Sequence, residues 1–352
     1  MKLLTVYFSL FTAISSNSSS KSIITKISSS EAEHIVKECG NSRIRRSIDG
    51  IMTPEDSFKY TVRISFNKGN DSFHILTGVV ISSIHVLSSA HGLLSSPPTE
   101  GVRCNFSNKT LSEVFVTSLP VTSNMDLIVF QKEAKECANE KNKMRKVRVK
   151  HAVIHPRFFT NQCVGGDIAI LELEKAIDFS SPGVDFGCLP KKKDHPYKIV
   201  HMAGFGMDPN EDDKRNAKWL KYITLAVQSS CGGMDIFRER RKEEFMVANV
   251  ANDMICSRHG DSAGPVVQPR NNNKQTILAL HIGGVDCKEA NVYLRLKKKP
   301  STRNDPSIAN TKLRAYTHTD LRVHSKWLCS LTGICSEDMS SDSQLEESLV
   351  LF

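Results

Sequence analysis

Residues 165–173 read GGDIAILEL, an aspartate at the head of a short apolar run that follows two glycines. An aspartate there is ordinary turn chemistry: its carboxylate closes the turn and the residues after it enter a sheet. Its company makes it informative. Upstream, LSSAHG at 87–92 sets a histidine at the end of another apolar strand. Downstream, HGDSAGP at 259–265 sets a serine among small residues. Alone, the histidine reads as a structural residue at a strand end and the other two segments as turns, but together they bring an imidazole, a carboxylate and a hydroxyl, in that chain order. A serine hydroxyl is a poor nucleophile until an imidazole takes its proton. That imidazole in turn needs a carboxylate on its other nitrogen to fix tautomer and orientation.

Working outward, short β-rich runs alternate with Gly, Pro and Asn: YTVRISF (60–66), ILTGVVIS (75–82), YKIVHMAGFG (197–206), AGPVVQP (263–269) and QTILALHIGG (275–284). Many short strands with such punctuation predict an all-β sandwich or barrel rather than βαβ units. Polar inserts are expected at 138–150, 207–218, 236–246 and 296–314, and DLRVHSKWLC (320–329) predicts a terminal helix. No internal repeat is present.

The composition narrows the class. At 352 residues, with 39% hydrophobic and 24% charged, the chain can bury a core. A net charge of +9, interspersed with acidic residues, argues weakly for a nucleic-acid or membrane partner, and 7% aromatics with two tryptophans argue against base-stacking platforms. Ten cysteines without a CxxC pair exclude zinc ribbons and thioredoxin-type chemistry. His151 and His155 are four apart, but a proline follows the second and no HExxH glutamate exists, so no metal is expected. The run KNKMRKVRVK (141–150) reads as a solvated loop and strand.

Lys2, the apolar run Leu3–Ile14 and the small polar residues after it form a succession of secretory type, too short to span a bilayer, and residues 1–16 are assigned as a signal peptide. No later run is long enough for a membrane span. Secretion permits disulfides and makes Asn70, Asn105 and Asn108 glycosylation candidates. Residues 17–46, rich in Ser, Lys and Arg, read as a propeptide or exposed extension.

With these segments in order, the chain resembles the trypsin/chymotrypsin-like serine protease family, and most closely its divergent nematode members. SSAHG stands for the family's TAAHC, DIAILEL for DIALLKL, VIHPRF (153–158) for VxxHPxY, and GDSAGP for GDSGGP. GCLP (187–190), GFG (204–206), DMIC (253–256) and AYTHT…WLC (315–329) match further elements. The resemblance implies two six-stranded antiparallel barrels with a C-terminal helix. It implies a catalytic domain at 47–335 and leaves an acidic, Ser-rich tail at 336–352. His91, Asp167 and Ser262 would be the triad, and the amides of Gly260 and Ser262 the oxyanion hole.

Departures from the family pattern are as informative. The disulfide flanking the catalytic histidine is missing at both ends, where Leu76 and Gly92 stand, and another is replaced by Val200 and Gln268. The resemblance implies a tether from Cys39 to Cys188 and a loop bridge from Cys231 to Cys256. Cys329 and Cys335 either pair with each other or reach back to Cys104, Cys137 or Cys163. Zymogen cleavage after Arg46 would expose Ser47 instead of Ile or Val, and Asp261 would receive the new ammonium. HIGG (281–284) takes the place of the family's SWG wall.

Two functions follow. One is a secreted serine endopeptidase, made as a zymogen, without a cofactor, with peptide or protein substrates and protein inhibitors as partners. The other is an inactive protease homologue acting as a protein-binding module.

Overall fold

The computed structural model describes residues 24–40, 58–67, 73–93, 125–129, 145–160, 165–180, 184–206, 220–227, 244–248, 262–270, 274–283 and 316–335. Twelve strands within them form two closed antiparallel barrels of six. The first comprises β1 (Thr61–Asn67), β2 (Phe73–Val80), β3 (His85–Ser88), β4 (Met125–Val129), β5 (Arg145–Ile154) and β6 (Ala169–Leu173), in the order β1-β2-β3-β6-β5-β4. Pairing of β1 with β4, Ile64 opposite Leu127, closes it. The second comprises β7 (Ile199–Gly204), β8 (Lys221–Val227), β9 (Glu244–Ala248), β10 (Pro265–Pro269), β11 (Gln275–Gly283) and β12 (Tyr316–Asp320). Its order is β10-β11-β12-β9-β8-β7, closed by Val266 opposite Met202. Closure removes the unpaired edges that open sheets must protect.

β5 starts at Arg145, within the basic run 141–150 expected as a loop and strand, and β9 starts at Glu244, inside another of the expected polar inserts. The reason is visible in β5, where Val149 is buried between exposed Arg148 and Lys150. A basic strand with one wet face reads as loop by composition and as strand by alternation. β6 is buried at every position. The barrel core covers one face, and the chain's N-terminal segment lies against the other at Glu172.

That N-terminal segment corrects the expectation of an exposed extension. Ser29–Glu38 form helix α1, capped by Ser28, whose Oγ accepts the Glu31 amide. Ile24 and Ile35 are buried in the same apolar cluster as the first barrel's strands. The segment is fastened at several points. The Thr25 amide donates to Glu172 Oε1 at 3.3 Å, and the Ser83 amide donates back to Glu31 Oε1 at 3.0 Å. The Gln275 amide of the second barrel donates to Gly40 O at 2.9 Å. Cys39 is disulfide-bonded to Cys188 on the connection between the barrels. Gly40 has φ +71°, and a Cβ there would collide with the Gln275 carbonyl, so only glycine fits this approach.

The terminal helix, α4 (Ser325–Thr332), begins five residues later than expected. Asp320 pairs with Arg322 through Nε and Nη2 and holds a turn before the helix can start. Helix α4 follows the second barrel but packs toward the first, its Trp327 ring 4.8 Å from that of His155. Gly333, at φ +84°, terminates it, and Cys329 and Cys335 bond locally across that end. The short helices α2 (Ala90–Leu93) and α3 (Pro156–Thr160) follow β3 and β5.

Candidate active site

His91, Asp167 and Ser262 meet between the barrels. β3 ends at Ser88 and turns into α2, and this one-turn helix carries His91. Asp167 precedes β6, which pairs with β3 through Ser88 opposite Ala169, so strand register brings the imidazole and the carboxylate side by side. The Asp167 carboxylate holds His91 twice. Oδ1 accepts the His91 backbone amide at 2.9 Å, and Oδ2 lies 2.6 Å from Nδ1. A carboxylate only accepts, so Nδ1 carries the proton and Nε2 is left to accept. Nε2 lies 2.9 Å from Ser262 Oγ. The His91 side chain is 20% exposed and that of Asp167 7%, so the imidazole faces solvent while the carboxylate is sealed behind it.

Ser262 leads into β10. Its carbonyl accepts the Thr77 amide of the first barrel at 2.9 Å, and Thr77 Oγ1 accepts the Phe205 amide of the second at 3.1 Å. Thr319 Oγ1 donates to the Asp167 carbonyl at 3.0 Å from the other side. These cross-barrel contacts set the distance between hydroxyl and imidazole. Thr77 and Thr319 escaped the sequence reading because their work is done toward backbone atoms, which no motif advertises.

Ala263 has φ +66°, a left-handed conformation, and its amide donates to His281 O at 2.7 Å. His281, opening the HIGG stretch, is buried and stands opposite His318 across β11 and β12, the rings 5.1 Å apart. Burial pushes His281 down to about 3, and His91 nearby acts in the same direction. His318 is held well below the ordinary imidazole range by burial and then by His281. Both are neutral core residues behind the relay.

The two lost cystines have non-covalent replacements. The Leu76 side chain packs directly on Gly92, where even a Cβ would strike it. Gln268 accepts the Tyr197 amide at 2.9 Å and donates to the His195 carbonyl at 3.2 Å, tying β10 to the chain entering β7.

Gly260, Asp261, Arg46, Ser47, Cys231 and Cys256 lie outside the described residues, as do Asn70, Asn105 and Asn108. Among the described residues no group of three or more His, Cys, Asp or Glu could hold a metal ion, and no helix is long and apolar enough to cross a membrane.

Paired six-stranded barrels with a Ser-His-Asp contact between them define a trypsin-like serine protease scaffold. The chain belongs to the nematode trypsin-6-like family, whose family model matches residues 4–335. It is also similar to transmembrane protease serine 11G of Rattus norvegicus, at 22% identity over 288 residues covering 78% of this chain and 59% of the relative. The Mus musculus protein of the same name is 23% identical over 159 residues, 42% of this chain and 36% of the relative. The chain thus spans less than two thirds of either relative's length.

Proposed function

We propose that this protein is a secreted serine endopeptidase that cleaves peptide bonds through an acyl-enzyme. The observation that carries the reading is the unbroken relay from Asp167 through His91 to Ser262, with contacts of 2.6 and 2.9 Å. Ser262 Oγ attacks the scissile carbonyl as His91 Nε2 takes its proton. His91, now an imidazolium, is stabilised by Asp167 and returns the proton to the leaving amine. Water then repeats the sequence on the ester and releases the acid. The amides of Ser262 and Gly260 receive the negative charge of the tetrahedral intermediate, and one such donor contributes about 3 kcal/mol.

Secretion accords with the leader-like start and with the disulfides Cys39–Cys188 and Cys329–Cys335. Zymogen activation would proceed by cleavage after Arg46. The new Ser47 ammonium would reach Asp261 without the apolar stem an isoleucine supplies there, at a cost of roughly 1–3 kcal/mol of burial. The test is turnover of a peptide library by protein nicked after Arg46, alongside Ser262→Ala. Turnover lost on Ser262→Ala supports the endopeptidase. No turnover, with partner capture indifferent to Ser262→Ala, supports the binding-module reading. One observation favours that second reading: alanine, not glycine, occupies the left-handed position after the serine.

A further inference from the structure

The amide, carbonyl and hydroxyl of Thr77 each make a hydrogen bond, and each bond leads to a different part of the relay's support. The amide donates to the Ser262 carbonyl across the barrel interface at 2.9 Å. Oγ1 accepts the amide of Phe205, the residue just past β7 in the second barrel, at 3.1 Å. The carbonyl accepts Oγ of Ser88, the last residue of β3 before the turn that carries His91, at 3.4 Å. Thr77, Ser88 and Phe205 are all buried.

Strand register explains where the Thr77 side chain goes. Thr77 stands opposite Arg63, while Val62 and Ile64 on either side of Arg63 fill the first barrel's core. Alternation therefore turns the threonine away from its own core and toward the second barrel. Valine has the same branching, so packing alone does not call for a hydroxyl here. Ser262 is held on its other side by β11: the Ala263 amide donates to His281 O at 2.7 Å, and the His281 amide donates to Gly264 O at 2.9 Å. Thr77 is thus the first barrel's grip on a nucleophile segment that the second barrel carries.

We propose that Thr77 is a positioning residue for peptide-bond cleavage, its hydroxyl fixing the approach of the second barrel so that Ser262 Oγ stays within reach of His91 Nε2. The kinetic consequence rests on the endopeptidase reading of the same site. Thr77 acts through the Ser262 backbone and the Phe205 amide. Such geometry is steep in distance, because a misplacement of about 1 Å slows a reaction about a hundredfold.

The test compares Thr77→Val, which keeps the branching and both backbone bonds but removes the acceptor for Phe205, with Thr77→Ser, which restores that acceptor. Thr332→Val on α4 is the control, since Thr332 Oγ1 is also buried and donates to the Leu328 carbonyl at 2.7 Å. In protein nicked after Arg46, Thr77→Val should slow fluorophosphonate labelling of Ser262 about ten- to a hundredfold. It should lower kcat on a library peptide that the parent cleaves by a similar factor, with KM little changed. Thr77→Ser should recover most of the rate, and Thr332→Val should melt earlier yet react like the parent. Parental rates in Thr77→Val, no recovery in Thr77→Ser, or an equal loss in Thr332→Val overturns the proposal.

A readout that needs no turnover separates this proposal from the endopeptidase reading: the nitrogen NMR resonance of His91 Nε2 in the folded chain. Ser262→Ala marks where that resonance lies without the serine hydrogen bond. Thr77→Val should move it toward that position, and Thr332→Val should leave it in place. If the parent neither labels nor cleaves but Thr77→Val moves the resonance, the endopeptidase reading fails and the positioning role stands. A resonance unmoved by Thr77→Val overturns the positioning role, whatever the parent's activity.

Discussion

The side chain of Leu76 rests on the backbone of Gly92, one residue past the imidazole of the relay. Leu76 is on β2 and Gly92 on α2, so an apolar contact joins the two elements that the wider family joins by a cystine. Leu76 is buried within the first barrel's core. Leu76→Ala should therefore cost about 2–4 kcal/mol and loosen α2 along with the barrel. Leu76→Cys with Gly92→Cys should form a bridge under oxidising conditions and raise stability by about 2–4 kcal/mol. Denaturant melts in oxidised and reduced buffer check both; a double variant that stays reduced contradicts the inferred proximity.

The docked N-terminal segment alters what cleavage after Arg46 would release. Cys39–Cys188 is one attachment among several. Ile24 and Ile35 are buried, and the Thr25–Glu172, Ser83–Glu31 and Gln275–Gly40 bonds are independent of the sulfurs. After nicking and reduction, the fragment should remain bound on native size-exclusion chromatography and separate only in denaturant. Its loss on reduction alone would show that the disulfide is the sole tether.

Acid should destabilise the protein well before ordinary carboxylates titrate. Burial pushes His85 and His324 down to about 4, and His155 and His281 to about 3. In the unfolded chain each returns to about 6.5, so below that pH the unfolded state binds more protons and stability falls with pH. Glu172 acts later and in the same direction. Burial raises its pKa, but hydrogen bonds from His151 and Thr25 and the charge of Lys150 outweigh that and hold it lower. Its contribution is present above the unfolded carboxylate value and is lost as pH falls below it. Thermal melts from pH 7 to pH 4 should show a steady decline in Tm starting near pH 6.5. A flat Tm down to pH 5 would mean that the buried imidazoles are hydrated.

Ala263 holds a backbone conformation suited to glycine, at φ +66° and fully buried. Its methyl group should cost about 1 kcal/mol. Ala263→Gly should recover about that much in a urea melt, offset in part by glycine's unfolded-state entropy, while leaving Ser262 in place. A clear loss of stability would show that the methyl packing outweighs the strain.

The legible parts of this protein are those where side-chain chemistry and strand rhythm coincide. Asp167 heading β6 and His91 just past β3 could be read because each stands beside a short run that is buried throughout. The same residues carried the family resemblance, and with it the double barrel. Helix α1 was missed because Ser and Lys dominate its surroundings, although Ser28 and Glu31 form a helix-start signature whose amide bond is present at 3.2 Å. Thr77 and Thr319 bridge the barrels through backbone atoms, and the Leu76–Gly92 contact exists only once β2 and α2 are folded together. Such contacts have no local pattern to read.

Active-site labelling tests the central claim most directly. A fluorophosphonate probe reacts with a serine only when a neighbouring base has raised its nucleophilicity. Protein nicked after Arg46 should be labelled at Ser262, with labelling abolished by Ser262→Ala and reduced by at least about a hundredfold in His91→Ala. If nicked, folded protein leaves Ser262 unlabelled, or if His91→Ala labels as fast as the parent, the relay does not activate the serine and the endopeptidase account is wrong.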